Sequence, residues 1–113
     1  MLKYGGMEAA LKAIAEPRRR QILRLVAESE LPAGEIAAHF DVTRPAISQH
    51  LAVLKGAGLV EERRDGTRRL YRARAAGLDE LRRSLEDFWA DGLARLKTAA
   101  EQEERRKHRE RHG

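Results

Sequence analysis

Cysteine is absent from the 113 residues, so disulfides and thiolate metal sites are excluded and a reducing compartment is compatible. Aromatic residues are scarce: two Phe, two Tyr and one Trp cannot line a large cofactor pocket. No apolar run approaches the roughly 18 residues of a membrane span, and no signal-peptide pattern opens the chain. A cytoplasmic protein with no membrane partner is therefore expected. Acid is in deficit, with 18 Asp and Glu against 23 Lys and Arg and a net charge of +5. That balance favours a polyanionic partner without saying which.

What is present suits one small domain. Hydrophobic residues make up 42% of the chain, enough for a thin core that a dimer surface would reinforce. The most informative stretch is DVTRPAISQHLAVLKGAGL, Asp41 to Leu59. Thr43 is an N-cap for a helix, Pro45 sits just inside its start, and Gly56 and Gly58 end it. Ile47, Leu51 and Leu54 recur at helical spacing and share one face. Arg44, Pro45, Ser48 and Gln49 are left near the start of the opposite face, with His50 beside them. Arg pairs with guanine and Gln with adenine in the major groove, so this is a DNA-reading helix in composition and length.

Upstream, residues 1–6 are an arm. Met7, Leu11 and Ile14 mark an amphipathic helix ended at Glu16-Pro17, because the residue before proline avoids helical angles. Pro17 starts a second helix with Ile22, Leu23, Leu25 and Val26 inward, and Ser29 to Pro32 is a turn. A third short helix follows, with Leu31, Ile36 and Phe40 as its apolar positions. Two short helices joined by a tight turn form a helix-turn-helix. Downstream, Leu59–Arg64 and Arg68–Arg74 flank Asp65-Gly66, the signature of a hairpin with a type I′ turn. Between Arg63 and Arg74 the sole acid is Asp65, so Arg63, Arg64, Arg68 and Arg69 form a basic wing suited to phosphates or a narrow minor groove.

From Leu78 helical spacing returns in Leu81, Leu85, Phe88, Trp89, Leu93 and Leu96. That stripe is too rich to leave wet, and with Met7 and Leu11 it is expected to form a dimer interface. Residues 101–113 are a charge-dense tail, helical by its Glu101–Arg105 spacing before it frays. The organisation is thus an arm over 1–6, a DNA-binding and dimerisation domain over 7–100, and the tail.

Together, EPRRRQILRLVAE, LPAGEIAAHFDVTRPAISQHLAVLKGAGLV and ERRDGTRRLYR resemble the ArsR/SmtB family of bacterial winged-helix transcription regulators, over roughly Met7 to Leu96. The resemblance implies a mainly α fold of five helices plus a β-hairpin wing. It also implies a homodimer through first and last helices that binds an inverted repeat in promoter DNA, as a repressor or an activator. Some members of that family release DNA on binding a metal. Their usual ligands do not carry over. Where Glu-Leu-Cys-x-Cys stands in those members this chain has Glu30-Leu31-Pro32-Ala33-Gly34, and the last-helix ligand positions are Ala75, Gly77, Phe88 and Asp91. His108 and His112, one helical turn apart, remain as a candidate pair for a divalent metal, nickel first and zinc second, with His39 or the arm completing the site across a dimer.

No catalytic residue emerges. His50 has no carboxylate placed to orient it, and Gly56-Ala57-Gly58 lacks the third glycine of a dinucleotide loop and runs from helix to strand. Phe88 and Trp89 read as dimer core ahead of an effector pocket. The expected function is sequence-specific promoter binding. The alternative is a winged-helix module whose basic face binds protein or RNA.

Overall fold

Glu16-Pro17 divides the first helical stretch in two. A computed structural model, which describes residues 5–112 except the side chain of His112, shows α1 (Gly5–Ala15) followed at once by α2 (Pro17–Glu28). The Glu16 carboxylate accepts from the Arg19 N–H at 2.9 Å, and Pro17 occupies the first helical position. The arginines that follow are used internally. Arg19 donates to the carbonyls of Ala13 and Lys12, and Arg20 to those of Ile14 and Ala15, satisfying the exposed carbonyl end of α1. Arg18 lies over the Phe40 ring, 5.3 Å from its centre. The arm expected over 1–6 needs correction at its end, since Gly5 and Gly6 already belong to α1; residues 1–4 lie outside the described residues.

The chain continues through α3 (Ala33–Ala38), α4 (Arg44–Gly56), β1 (Val60–Asp65), β2 (Arg68–Ala73) and α5 (Ala75–His112). This is the mainly α, winged helix-turn-helix architecture, with five helices and one hairpin among the described residues. Its core gathers Ile22 and Val26 from α2, Ile36 from α3, Ile47, Leu51 and Leu54 from α4, and Leu59 and Val60 at the start of the wing, each at 2% exposure or less. Burying such side chains is worth about 1.5–3 kcal/mol each. The apolar face of α4 is thereby fixed, and its opposite face is fixed outward.

Two turns differ from the sequence expectation. Gly56 is the last helical residue of α4, and Gly58 alone takes the left-handed conformation, at φ 75°. In the hairpin Asp65 pairs with Arg68, so the two-residue turn is Gly66-Thr67 instead of Asp65-Gly66. Gly66 has φ 66° and Thr67 has a negative φ, which excludes type I′ and places glycine where a type II′ turn needs it. A further strand contact was also hidden in the sequence. Leu31, in the expected Ser29–Pro32 turn, pairs with Tyr71 through two backbone hydrogen bonds of 3.0 and 2.8 Å, adding a short third member beside β2.

Candidate nucleic-acid interface

The Thr43 hydroxyl accepts from the Ala46 N–H at 3.2 Å and opens α4 as an N-cap. Arg44 and Pro45 occupy its first two positions. Arg44, Pro45, Ser48 and Gln49 are exposed together, opposite buried Ile47, Leu51 and Leu54, while His50 is half-buried on the flank. Arg44 makes no ion pair among the described residues, so its guanidinium is available to an outside acceptor.

The register of the hairpin decides where each wing arginine goes, because residues directly opposite one another share a face and neighbours alternate. Arg64 is opposite Arg69, Glu62 opposite Tyr71 and Val60 opposite Ala73. This face rests on the core through Val60, Tyr71 and Ala73, and Glu62 meets Lys55 of α4 at 3.6 Å. Arg64 and Arg69 therefore emerge at the wing tip on the side of α4. Arg69 has only a loose partner, Glu62 at 3.9 Å, and Arg64 has none among the described residues. Burial first, then the negative charge of Glu62, raises the Tyr71 hydroxyl above its ordinary pKa and keeps it a neutral donor.

The other face carries Arg63, Arg68 and Arg72. Arg63 Nε lies 3.1 and 3.2 Å from the two carboxylate oxygens of Glu30, with Nη2 on the same group. Through that hydrogen bond Arg63 holds Glu30 below the usual carboxylate value, and Glu30 raises Arg63 in return. Arg68 reaches Glu35 of α3 at 3.2 Å and Arg72 reaches Glu61 at 2.7 Å. These pairs are exposed and individually weak, so phosphate can replace the carboxylate at small cost.

Between α4 and the wing lies a groove of about 460 Å³, with Arg44 and Ser48 on one wall and Thr67, Arg68, Arg69 and Tyr71 on the other. Thr67 and Tyr71 were not singled out from the sequence. Tyr71 was within reach of it, since two-residue alternation from Arg69 puts it on the same strand face. The groove joins hydroxyl, phenol and guanidinium donors over an outward surface and contains no nucleophile–base pair.

The long helix separates its apolar positions. Met7 and Leu81, expected at a dimer interface, are already buried in the core of the subunit at 6% and 7% exposure. Leu85, Phe88, Leu93 and the more open Trp89 (64%) and Leu96 (66%) remain on the surface of α5, with Leu11 on α1. The tail is helical to His112, with Glu101–Arg105, Glu103–Arg106 and Arg106–Glu110 pairs along it. No group of three or more metal-ligating side chains occurs among the described residues. His108 lies among Glu104, Arg105, Lys107 and Arg111, the His112 side chain is outside the described residues, and His39 packs elsewhere, beside Gln21, Glu28 and Phe40. No helix among the described residues is long and apolar enough to cross a membrane.

Comparison with known proteins agrees with this geometry. The profile of a family described as "Bacterial regulatory protein, arsR family" matches residues 16–62. The chain is 44% identical over 93 residues to the HTH-type transcriptional regulator Rv2034 of Mycobacterium tuberculosis, covering 82% of this chain and 87% of that one. An ArsR-like transcriptional regulator from Rhodococcus sp. RHA1 superposes with a TM-score of 0.76 at 32% identity, over 84% of this chain and 90% of the other. The homodimeric winged helix-turn-helix DNA-binding domain of Mb0332 from Mycobacterium bovis, solved by NMR, gives 0.61 at 36% identity, over 76% and 79%.

Proposed function

The chain belongs to the ArsR family of bacterial regulatory proteins, and from that premise we propose that it binds an inverted repeat in promoter DNA as a symmetric homodimer. It is a DNA-binding transcriptional regulator and not an enzyme. The observation that carries the finer reading is the exposed set Arg44, Pro45, Ser48 and Gln49 on α4, beside a wing tip whose Arg64 and Arg69 face the same side. Arg44 and Gln49 read base edges; Ser48, Thr43 and His50 contact the adjacent backbone or base edges. Arg64 and Arg69 hold flanking phosphates, and Arg63 and Arg68 join them by exchanging a carboxylate for a phosphate. Two such readers in one dimer enter successive major grooves about 34 Å apart. Occupying a promoter in this way obstructs polymerase, which makes repression the proposed outcome.

The partner surface is the stripe Leu85, Phe88, Trp89, Leu93 and Leu96 with Leu11, supported by its exposure and by the homodimeric state of the Mycobacterium bovis relative. A response to nickel or zinc rests on His108 and His112 alone. Structural zinc takes four ligands and catalytic zinc three from protein, so two imidazoles from one subunit fall short and a site would have to draw donors from the second. The test of the whole reading is fluorescence anisotropy with duplexes selected from a randomised pool. Specific binding far tighter than to scrambled duplex is expected, and equal affinity for both would favour the protein- or RNA-binding alternative. Repeating the titration with nickel and with zinc decides the metal response: unchanged affinity removes it, and a change surviving His108→Ala with His112→Ala moves it off the tail.

A further inference from the structure

The first turn of α5 rests on the backbone that ends α4. Gly77 lies in that turn with ordinary helical angles, so nothing in its own conformation calls for glycine. Helix propensity alone would favour alanine there. A Cβ at Gly77 would, however, stand 1.8 Å from the carbonyl oxygen of Gly58 and 2.9 Å from its carbon, and backbone atoms cannot rotate aside as a side chain can. Gly6, Gly56, Gly66 and Gly92 have nothing within 4 Å of the same construction.

Gly58 is itself a junction. Its N–H donates to the Lys55 carbonyl at 3.0 Å, and its carbonyl accepts from Arg74 Nη1 at 3.3 Å. One residue on, the Leu59 N–H donates to Leu54 at 3.0 Å and the Leu59 carbonyl accepts from the Arg74 N–H at 2.8 Å. The Arg74 carbonyl then accepts from Leu78 in α5 at 3.1 Å. The end of α4, the base of both wing strands and the start of α5 are thus joined backbone to backbone, with the Arg74 side chain bridging from the wing to the Gly58 carbonyl.

We infer that Gly77 is a positioning residue for operator recognition: its contact with Gly58 sets the angle between reading helix α4 and the helix that bears the dimer stripe. Any side chain at 77 must part the two backbones by about 1 Å. Because α4 is thirteen residues and about 20 Å long, a pivot at its C-terminal end shifts Gln49 at its middle and, by about twice as much, Arg44 at its far end. In the dimer that displacement changes the separation of the two readers. The inference rests on the proposed dimeric operator binding, and its test keeps the two apart.

The wild-type protein first selects an inverted repeat from randomised duplexes, and the spacer of that repeat is then varied one base pair at a time. Gly77→Ala is expected to stay dimeric by sedimentation and to bind scrambled duplex as the wild type does. It should lose about tenfold on the selected repeat, with the optimum of its spacer profile moved or flattened. Wild-type affinity and an unshifted profile in the variant would overturn the inference. Failure of the wild type to select any repeat would instead overturn the dimeric reading, and the inference with it. Should Gly77→Ala not fold, Arg74→Ala adds no bulk and removes the bond to the Gly58 carbonyl; a flattened spacer profile supports the joint, and an unchanged one refutes it.

Discussion

Arg63 and Arg64 are neighbours in the chain and opposites in use. Arg64 points to the α4 side of the wing with no partner among the described residues, whereas Arg63 is held on the far face by Glu30. Arg64→Ala is expected to weaken binding to every duplex alike and to lower the salt slope by about two per dimer, one for each subunit. Arg63→Ala should have the smaller effect on both in the same anisotropy series. The Glu30 carboxyl supplies an independent check. Its folded pKa is depressed by the Arg63 hydrogen bond, so the pair contributes above the unfolded carboxylate value and is lost as pH falls through the lower folded one. Near neutrality that contribution is fully present and does not vary with pH. An NMR titration should find Glu30 below an ordinary glutamate, and Arg63→Gln should return it. For Gln49→Ala, loss of a bidentate base contact should cost roughly 1–3 kcal/mol of discrimination per half-site, leaving scrambled duplex unchanged.

Among the elements, α4 is the one whose ends matter most. Its start is set by the Thr43 hydroxyl on Ala46, and Arg44 and Pro45 lie in the turn that cap secures, with Ser48 and Gln49 in the next. Thr43→Ala is expected to cost about 1 kcal/mol, seen as a fall of about 4 °C in Tm, and to weaken operator binding beyond that because the turn carrying Arg44 frays. The wing is a two-residue hairpin tied to the body by Leu31 and by the Glu30 and Glu35 pairs. Its tip carries the cations while its base is part of the core, so its position relative to α4 is a property of packing and not of the hairpin alone.

At the scale of the molecule, a 38-residue helix extends from a small domain, giving overall dimensions of 77 × 30 × 23 Å. The inner part of α5 packs on α1 through Leu81 and Met7, and the next turns present Leu85 to Leu96 to solvent. Each such apolar side chain gains about 1.5–3 kcal/mol when fully covered, so a second copy has much to offer this stripe. Leu93→Glu is expected to give a folded monomer in sedimentation, with the tight operator complex lost and weak half-site binding left. A folded dimer in that variant would contradict the assignment of the interface to α5.

What the sequence alone determined is what a few adjacent residues encode. The cap at Thr43, the buried triad Ile47, Leu51 and Leu54, the polar face behind it, the hairpin and the α5 stripe all follow from helical and strand periodicity and from turn chemistry. Even there, a one-residue difference in the turn, Gly66-Thr67 for Asp65-Gly66, was beyond composition, because strand register depends on the packed face. Only the tertiary structure decided which arginines are free. Glu30 and Glu35 lie 33 residues from the wing arginines they hold, and Arg19 and Arg20 are consumed in closing α1. It likewise decided that Met7 and Leu81 serve the subunit's own core and that Gly77 must be bare against Gly58. These are meetings between distant parts of the chain, and no local pattern records them.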